Sequence, residues 1–160
     1  MTELRELYQQ IILDHNKSPR NFGKLETPTA DQEGFNPLCG DHLHIYLHVV
    51  AEEGLIQDIS FEGSGCAISK ASASLMSTMV KGKTVKETEA LFENFHNLLT
   101  GDPQADVDMD SLGKLAVFAG VREFPMRVKC ATLAWHTMKA ALNGQDNTPF
   151  PPSKEEVLNG

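Results

Sequence analysis

The spacing of apolar residues changes period twice along this chain. Over residues 2–16, Leu4, Leu7, Tyr8, Ile11 and Ile12 recur at helical intervals, with Glu3, Arg5, Glu6, Gln9 and Gln10 filling the other face. That predicts an amphipathic helix, with Thr2 as its N-cap and Pro19, Asn21 and Gly23 ending it. Residues 20–36 read as loop with at most one short edge strand. From His42 the period becomes two. Leu43, Ile45, Leu47 and Val49 point one way, and His42, His44, Tyr46 and His48 the other, as in a half-buried strand. Glu52-Glu53-Gly54 predicts a turn, and Leu55–Glu62 a returning strand with Ile59 and Phe61 on one face, hence an antiparallel hairpin.

The helical period then returns. A helix is predicted from Ala67 to Val80, stopped by Gly82, with Ile68, Leu75 and Met79 as its core stripe. Ala67, Ser69, Ala71, Ser72, Ala73 and Ser74 crowd its first turns. Such small side chains fit close packing against the sheet, and also a space kept clear above Cys66. A second helix is predicted over Val85–Leu99 (Leu91, Phe92, Phe95, Leu98, Leu99), broken by Gly101-Asp102-Pro103. Residues 102–110 read as an acidic loop and Leu112–Phe118 as a short helix. Pro125 opens the last long helix at a position where proline is welcome; its stripe is Val128, Ala131, Trp135, Met138 and Leu142, and Gly144 ends it. Helix, hairpin and further helices predict an α+β fold, with helices packed on one face of a small antiparallel sheet. No internal repeat or domain boundary is visible, so residues 1–143 read as a single domain and 144–160, with Pro149, Pro151 and Pro152, as a mobile tail.

Composition adds bounds. With 160 residues and 41% hydrophobic content, the chain can bury a sizeable core. A net charge of −8 argues against a general binder of nucleic acid or anionic membrane. No apolar run approaches the ~20 residues that span a bilayer, and no signal peptide is visible, which places the expected location in the cytoplasm.

The three cysteines, Cys39, Cys66 and Cys130, cannot form a closed disulfide framework. Counting alone leaves open three inert buried thiols or one shared site. Each has a suggestive setting. Cys39 and Asp41 flank Gly40, whose freedom to take φ > 0 lets both side chains aim at one point, and both residue types are zinc ligands. Cys66 ends a glycine-rich loop and begins a helix, where the helix dipole favours a thiolate. Cys130 follows Arg127 by three residues, so the two share a helical face; Arg127 can present charge to the sulfur or form a surface ion pair. Papain-like catalysis needs a histidine held against a thiol, and His15, His96 and His136 are scattered in helices. His42, His44 and His48, on alternate residues of one strand, share a face. They form a polar face or a metal patch.

Three stretches carry a resemblance: Asn36-Pro37-Leu38-Cys39-Gly40-Asp41; Phe61-Glu62-Gly63-Ser64-Gly65-Cys66-Ala67-Ile68-Ser69 with Ala71-Ser72-Ala73-Ser74; and Phe124-Pro125-Met126-Arg127-Val128-Lys129-Cys130-Ala131. In this order, with Leu7-Tyr8 to Asp14-His15 and Pro19-Arg20-Asn21, they resemble the signatures of the SufU/IscU family (similar to the NifU N-terminal domain) of iron–sulfur cluster assembly proteins. The resemblance spans about residues 5 to 143. It implies a three-stranded antiparallel sheet with helices on one face. It also implies one Zn²⁺ on Cys39, Asp41, Cys66 and Cys130, with Arg127 and Lys129 offsetting the site's negative charge. The IscU branch typically has a histidine where this chain has Lys129, and a Leu-Pro-Pro-Val-Lys segment where this chain has Phe124–Lys129. Residues 100–121 resemble the extra segment of the SufU branch. The SufU likeness implies a zinc-dependent sulfurtransferase. A SufS-like cysteine desulfurase supplies a histidine to the zinc, Cys39 detaches and accepts the persulfide sulfur, and Arg127 steadies the detached thiolate. The sulfur then passes to downstream iron–sulfur scaffold or acceptor proteins. The alternatives are a scaffold for a [2Fe–2S] cluster or iron on the same ligands, and a binding module with a purely structural zinc.

Overall fold

A computed structural model describes residues 2–37, 40–50, 52, 54–100 and 107–143. Among the described residues, five α-helices and three strands follow in the order α1 (Thr2–Lys17), β1 (Ala30–Asn36), β2 (Asp41–Val50), β3 (Leu55–Ser64), α2 (Ala67–Val80), α3 (Val85–Thr100), α4 (Met109–Leu112), a 3-10 segment (Gly113–Glu123) and α5 (Pro125–Leu142). The strands form one antiparallel sheet in the order β1-β2-β3. The α+β class with a three-stranded sheet is therefore as expected. The tail 144–160, the Gly101-Asp102-Pro103 breaker, Glu53 and Cys39 lie outside the described residues.

The period-two pattern decides the faces of the sheet. Leu43, Ile45, Leu47, Ile59 and Phe61 are fully buried on the inner face; α5 covers that face along β1 and β2, and α2 packs on α5 and on α1. A register shift falls between His48 and Val49, so the alternation ends before Val49, which is only half-buried. The seven-residue β1 is the edge strand allowed for in residues 20–36. Its inward residues are Gln32, Gly34 and Asn36, not large apolar ones. A Cβ at Gly34 would collide with the Thr137 hydroxyl on α5, so strand and helix meet backbone to side chain.

Helix α5 is buried nearly all round, from Val128 to Ala141, as a central helix must be. Trp135 anchors it among Phe92 (5.7 Å between ring centres) and Phe95 (5.1 Å), and its Nε1 donates to Ser72 Oγ at 3.2 Å. Ser72 Oγ in turn donates to the Ala131 carbonyl. The small residues of α2 thus serve close helix packing. The stripe on α2 differs from expectation: Ala71, Leu75, Met76 and Val80 are fully buried, whereas Ile68 and Met79 are half-buried at the edge of the core. On the far side of α2, Ser74 Oγ meets His15 Nδ1 at 2.7 Å and accepts from the Arg20 amide at 2.8 Å, fixing α1 and the turn after it.

Among the described residues after α3, positions 108–123 correct the last part of the expected loop at 102–110 and the helix at 112–118, while 101–106 lie outside those residues. Asp108 caps α4, its side chain accepting from the Asp110 and Ser111 amides. Residues read as acidic loop are therefore the cap and first turn of a helix. Gly113, at φ +52, separates α4 from a 3-10 segment that runs on to Glu123, five residues past the expected end.

Candidate metal centre

Three chain segments converge at one end of the sheet. Asp41 opens β2 and pairs in register with Asn36, the last residue of β1. The Gly40 amide donates to the Asn36 carbonyl at 2.9 Å, and Gly40 takes φ +73, the sharp turn anticipated between Cys39 and Asp41. Cys66 is the N-cap of α2, its sulfur accepting from the Ser69 amide at 3.4 Å. Cys130 lies in the second turn of α5 and is 2% exposed.

Donor atoms of Asp41, Cys66 and Cys130 all lie within 4.8 Å of one another. Asp41 is fully buried. Its Oδ1 accepts from the Cys66 amide at 2.8 Å, and its Oδ2 is 4.0 Å from Cys66 Sγ. Around a tetrahedral zinc with Zn–S near 2.3 Å, neighbouring donors stand roughly 3.5–4 Å apart, so this set fits a zinc ion after small side-chain adjustments. Two sulfurs and a carboxylate equally suit iron–sulfur chemistry. The structure thus brings together three of the four expected ligands; the fourth, Cys39, lies outside the described residues, between the exposed Pro37 and Gly40. Neither Cys66 nor Cys130 is in a disulfide.

The hydrogen bond from Cys130 lowers the pKa of Cys66, to about 7; burial opposes it, the Ser69 and Ile68 amides add to the lowering, and the Asp41 charge opposes it. The helix start thus favours the thiolate as anticipated, although the neighbouring thiol contributes more than the amides.

Two residues escaped the sequence reading. Asn36 is fully buried and its Nδ2 faces Cys130 Sγ at 3.8 Å; the sequence reading gives it no role of its own. From the sequence, Gly65 is only part of the glycine-rich loop before Cys66. A Cβ there would come to 2.5 Å from Asp41 Oδ1, so Gly65 keeps the space that the carboxylate occupies. Nothing in the local pattern distinguishes that role, because the clashing atom is 24 residues away in sequence.

A cavity of about 950 Å³ opens beside the two cysteines. Its walls include Tyr8, Ile12 and Leu13 from α1, Ile68 from α2, and Phe124, Met126 and Arg127 at the start of α5. Leu13, Phe124 and Met126 are each about half exposed. Arg127 lines the cavity with Cys66 and Cys130, its guanidinium 5.1 Å from the Phe124 ring centre, a cation–π contact. It forms no salt bridge among the described residues. Lys129 is buried beside Cys130 at 8% exposure. No histidine joins the Asp41–Cys66–Cys130 donor group among the described residues.

Comparison with known proteins agrees with this geometry. Residues 7–143 match the family described as the NifU-like N terminal domain. The chain is 40% identical to the iron–sulfur cluster assembly scaffold protein IscU of Streptococcus pyogenes serotype M1, over 92% of this chain and 89% of that protein. It is 38% identical to the zinc-dependent sulfurtransferase SufU of Bacillus subtilis (strain 168), over 85% and 89%. The crystal structure of FiSufU from Fervidobacterium islandicum AW-1 superposes with a TM-score of 0.78 at 36% identity, over 86% of this chain and 98% of that one. Among the described residues no helix is long and apolar enough to cross a membrane. With its three-stranded sheet and its Asp41–Cys66–Cys130 cluster, the chain belongs to the NifU-like N-terminal domain family, that of the IscU and SufU iron–sulfur cluster assembly proteins.

Proposed function

We propose that this protein accepts persulfide sulfur from a cysteine desulfurase onto Cys39 and passes it to iron–sulfur cluster assembly, with a zinc ion held by Cys39, Asp41, Cys66 and Cys130. The supporting observation is the Asp41–Cys66–Cys130 donor cluster at an open, largely apolar cavity, with Cys39 two residues before Asp41. Bound zinc supplies thiolate character at neutral pH. The Cys39 thiolate attacks the outer sulfur of the desulfurase persulfide. The sulfur–sulfur bond breaks, the desulfurase cysteine leaves as a thiolate, and Cys39 carries the outer sulfur as a new persulfide, with no net oxidation. Asp41, held by the Cys66 amide, stays in place as Cys39 reacts, and Arg127 offsets negative charge at the cavity wall. The half-exposed Leu13, Phe124 and Met126 form the rim on which the desulfurase docks. The activity is assigned to one domain, residues 1–143, in the cytoplasm, with 144–160 as its tail. The name of the Bacillus subtilis relative favours this reading.

The name of the Streptococcus pyogenes relative favours a second reading, a scaffold on which a [2Fe–2S] cluster is built from the same donors. Loading the desulfurase with labelled sulfur separates the two. Label on Cys39, with desulfurase turnover raised by the zinc form, is the expected result. Label found only on Cys66 or Cys130, or a stable cluster passed to an acceptor without stimulation of turnover, refutes it.

A further inference from the structure

On the opposite face of the sheet stands a second group of donors that the cysteine site does not use. Asp41 and His42 are consecutive residues of β2, so their side chains leave the sheet on opposite sides. His42 Nε2 lies 3.5 Å from Glu33 Oε1, and His44 Nδ1 lies 3.8 Å from the same oxygen. The register explains the convergence: Glu33 of β1 and Glu62 of β3 are the direct partners of His44. Together these residues line a cavity of about 360 Å³, with Phe22 and Leu43 at its wall.

Each member is oriented by a neighbour. His44 Nε2 is 2.6 Å from Asp31 Oδ2, and its Nδ1 is turned towards Glu33. A carboxylate holding the remote nitrogen of an imidazole is the arrangement that fixes metal-binding histidines. The His44 ring also stacks on Tyr46, 4.2 Å between centres, and the Tyr46 hydroxyl donates to Glu62. His42 meets the Phe35 ring edge to face. Donors about 2.0–2.2 Å from one ion stand roughly 3–3.5 Å apart, close to the 3.5 and 3.8 Å from Glu33 to the two histidines, although Glu33, His42 and His44 do not all lie within 4.8 Å of one another. His42 is half exposed, so it can swing to close the set.

We infer that His42, His44 and Glu33 form a second metal site, for a divalent transition metal of borderline softness, with Glu62 completing its acidic wall. Imidazole and carboxylate donors suit Zn²⁺, Fe²⁺, Co²⁺ or Ni²⁺, whereas the thiolates across the sheet prefer softer ions. The site stands independently of the sulfur-transfer reading.

The test uses the full chain with its cysteine site preloaded with Zn²⁺ and titrated with Co²⁺. One further equivalent is expected, with weak d–d absorption and no sulfur-to-metal charge-transfer band. His44→Gln and Glu33→Gln are each expected to weaken that equivalent at least tenfold, and Asp31→Asn by about 10–100-fold through loss of the orienting carboxylate. His48→Gln, on the same strand and face, leaves it unchanged. Glu33→Gln and Asp31→Asn alter partly exposed side chains, so they decide the matter even if His44→Gln fails to fold. Absence of the extra equivalent, a charge-transfer band as the sole signal, or equal affinity in Glu33→Gln and Asp31→Asn overturns the site.

Discussion

Replacing Gly65 with alanine tests how the cysteine site is assembled. The new Cβ would lie 2.5 Å from Asp41 Oδ1 and 3.1 Å from Asp41 Cβ and Cγ. Restoring an ordinary contact of about 3.5 Å moves the carboxylate oxygen by roughly 1 Å. The 2.8 Å hydrogen bond from the Cys66 amide does not survive such a shift. A hydrogen bond to a charged group contributes about 1.5–3 kcal/mol, and overpacking adds a cost of its own, so metal-free Gly65→Ala should lose about 2–4 kcal/mol. The same shift carries Asp41 away from Cys66 and Cys130, so zinc affinity should fall about 10–100-fold, as when the support of a ligand is removed. Urea unfolding followed by Trp135, fully buried in the core, reads the first effect, and competition with a chromophoric chelator reads the second. Gly40→Ala is the contrast. Its Cβ meets nothing within 4 Å among the described residues, so its cost comes from φ +73, about 1–2 kcal/mol. If Gly65→Ala keeps both the urea midpoint and the zinc affinity of the parent, the steric argument is wrong.

Three further outcomes follow from the structure. Asn36→Asp keeps the shape but turns the donor facing Cys130 into an acceptor, and should weaken zinc binding at least tenfold in the same chelator competition with little change in helix content. Zinc at roughly 1,000 times its Kd adds about 4 kcal/mol, on the order of 10 °C in Tm for a chain of this size; a thermal melt of Cys66→Ser should show most of that shift lost. Burial first, then the charges of His96 and Lys139, lower the pKa of His136 to about 4. The unfolded chain therefore binds this proton from about pH 6.5 downward while the folded chain does not. Stability contributed by the neutral ring is present above pH 6.5 and falls by about 3 kcal/mol towards pH 4, so urea midpoints of His136→Gln should show a shallower loss over that window than the parent.

The sequence spoke clearly where period and packing agree. Helix α2 runs over the expected Ala67–Val80 and β2 buries the expected Leu43, Ile45 and Leu47, because side-chain period there follows directly from which face meets the core. At β1 it allowed only one short edge strand without placing it, because the inner face reads Gln32, Gly34, Asn36. Those residues are there to admit Thr137 and to face Cys130, and neither need leaves an apolar stripe. The acidic residues before Leu112 misled for a related reason: Asp108 serves as a cap, and caps and loops draw on the same residue types. At the metal centre, residue type and turn chemistry left inert thiols and a shared site both open, and it was the family resemblance that implied Cys39, Asp41, Cys66 and Cys130 as one ligand set. Asn36 and Gly65 depend on contacts between distant segments, which no local pattern encodes.

The meeting of Gly34 with Thr137 has a mechanical consequence. Because the strand has no side chain there and the helix fills that space with a hydroxyl-bearing one, β1 and α5 rest against each other like a gauge block of fixed thickness. Two residues along β1 stands Asn36, and two helical turns back along α5 stands Cys130. The clearance set at position 34 is thus handed to the far end of the site, where it sets how far the sulfur on α5 stands from the donors at the head of the sheet. A methyl group added at Gly34 would act as a shim, spreading helix and strand and opening the metal centre without touching a single ligand.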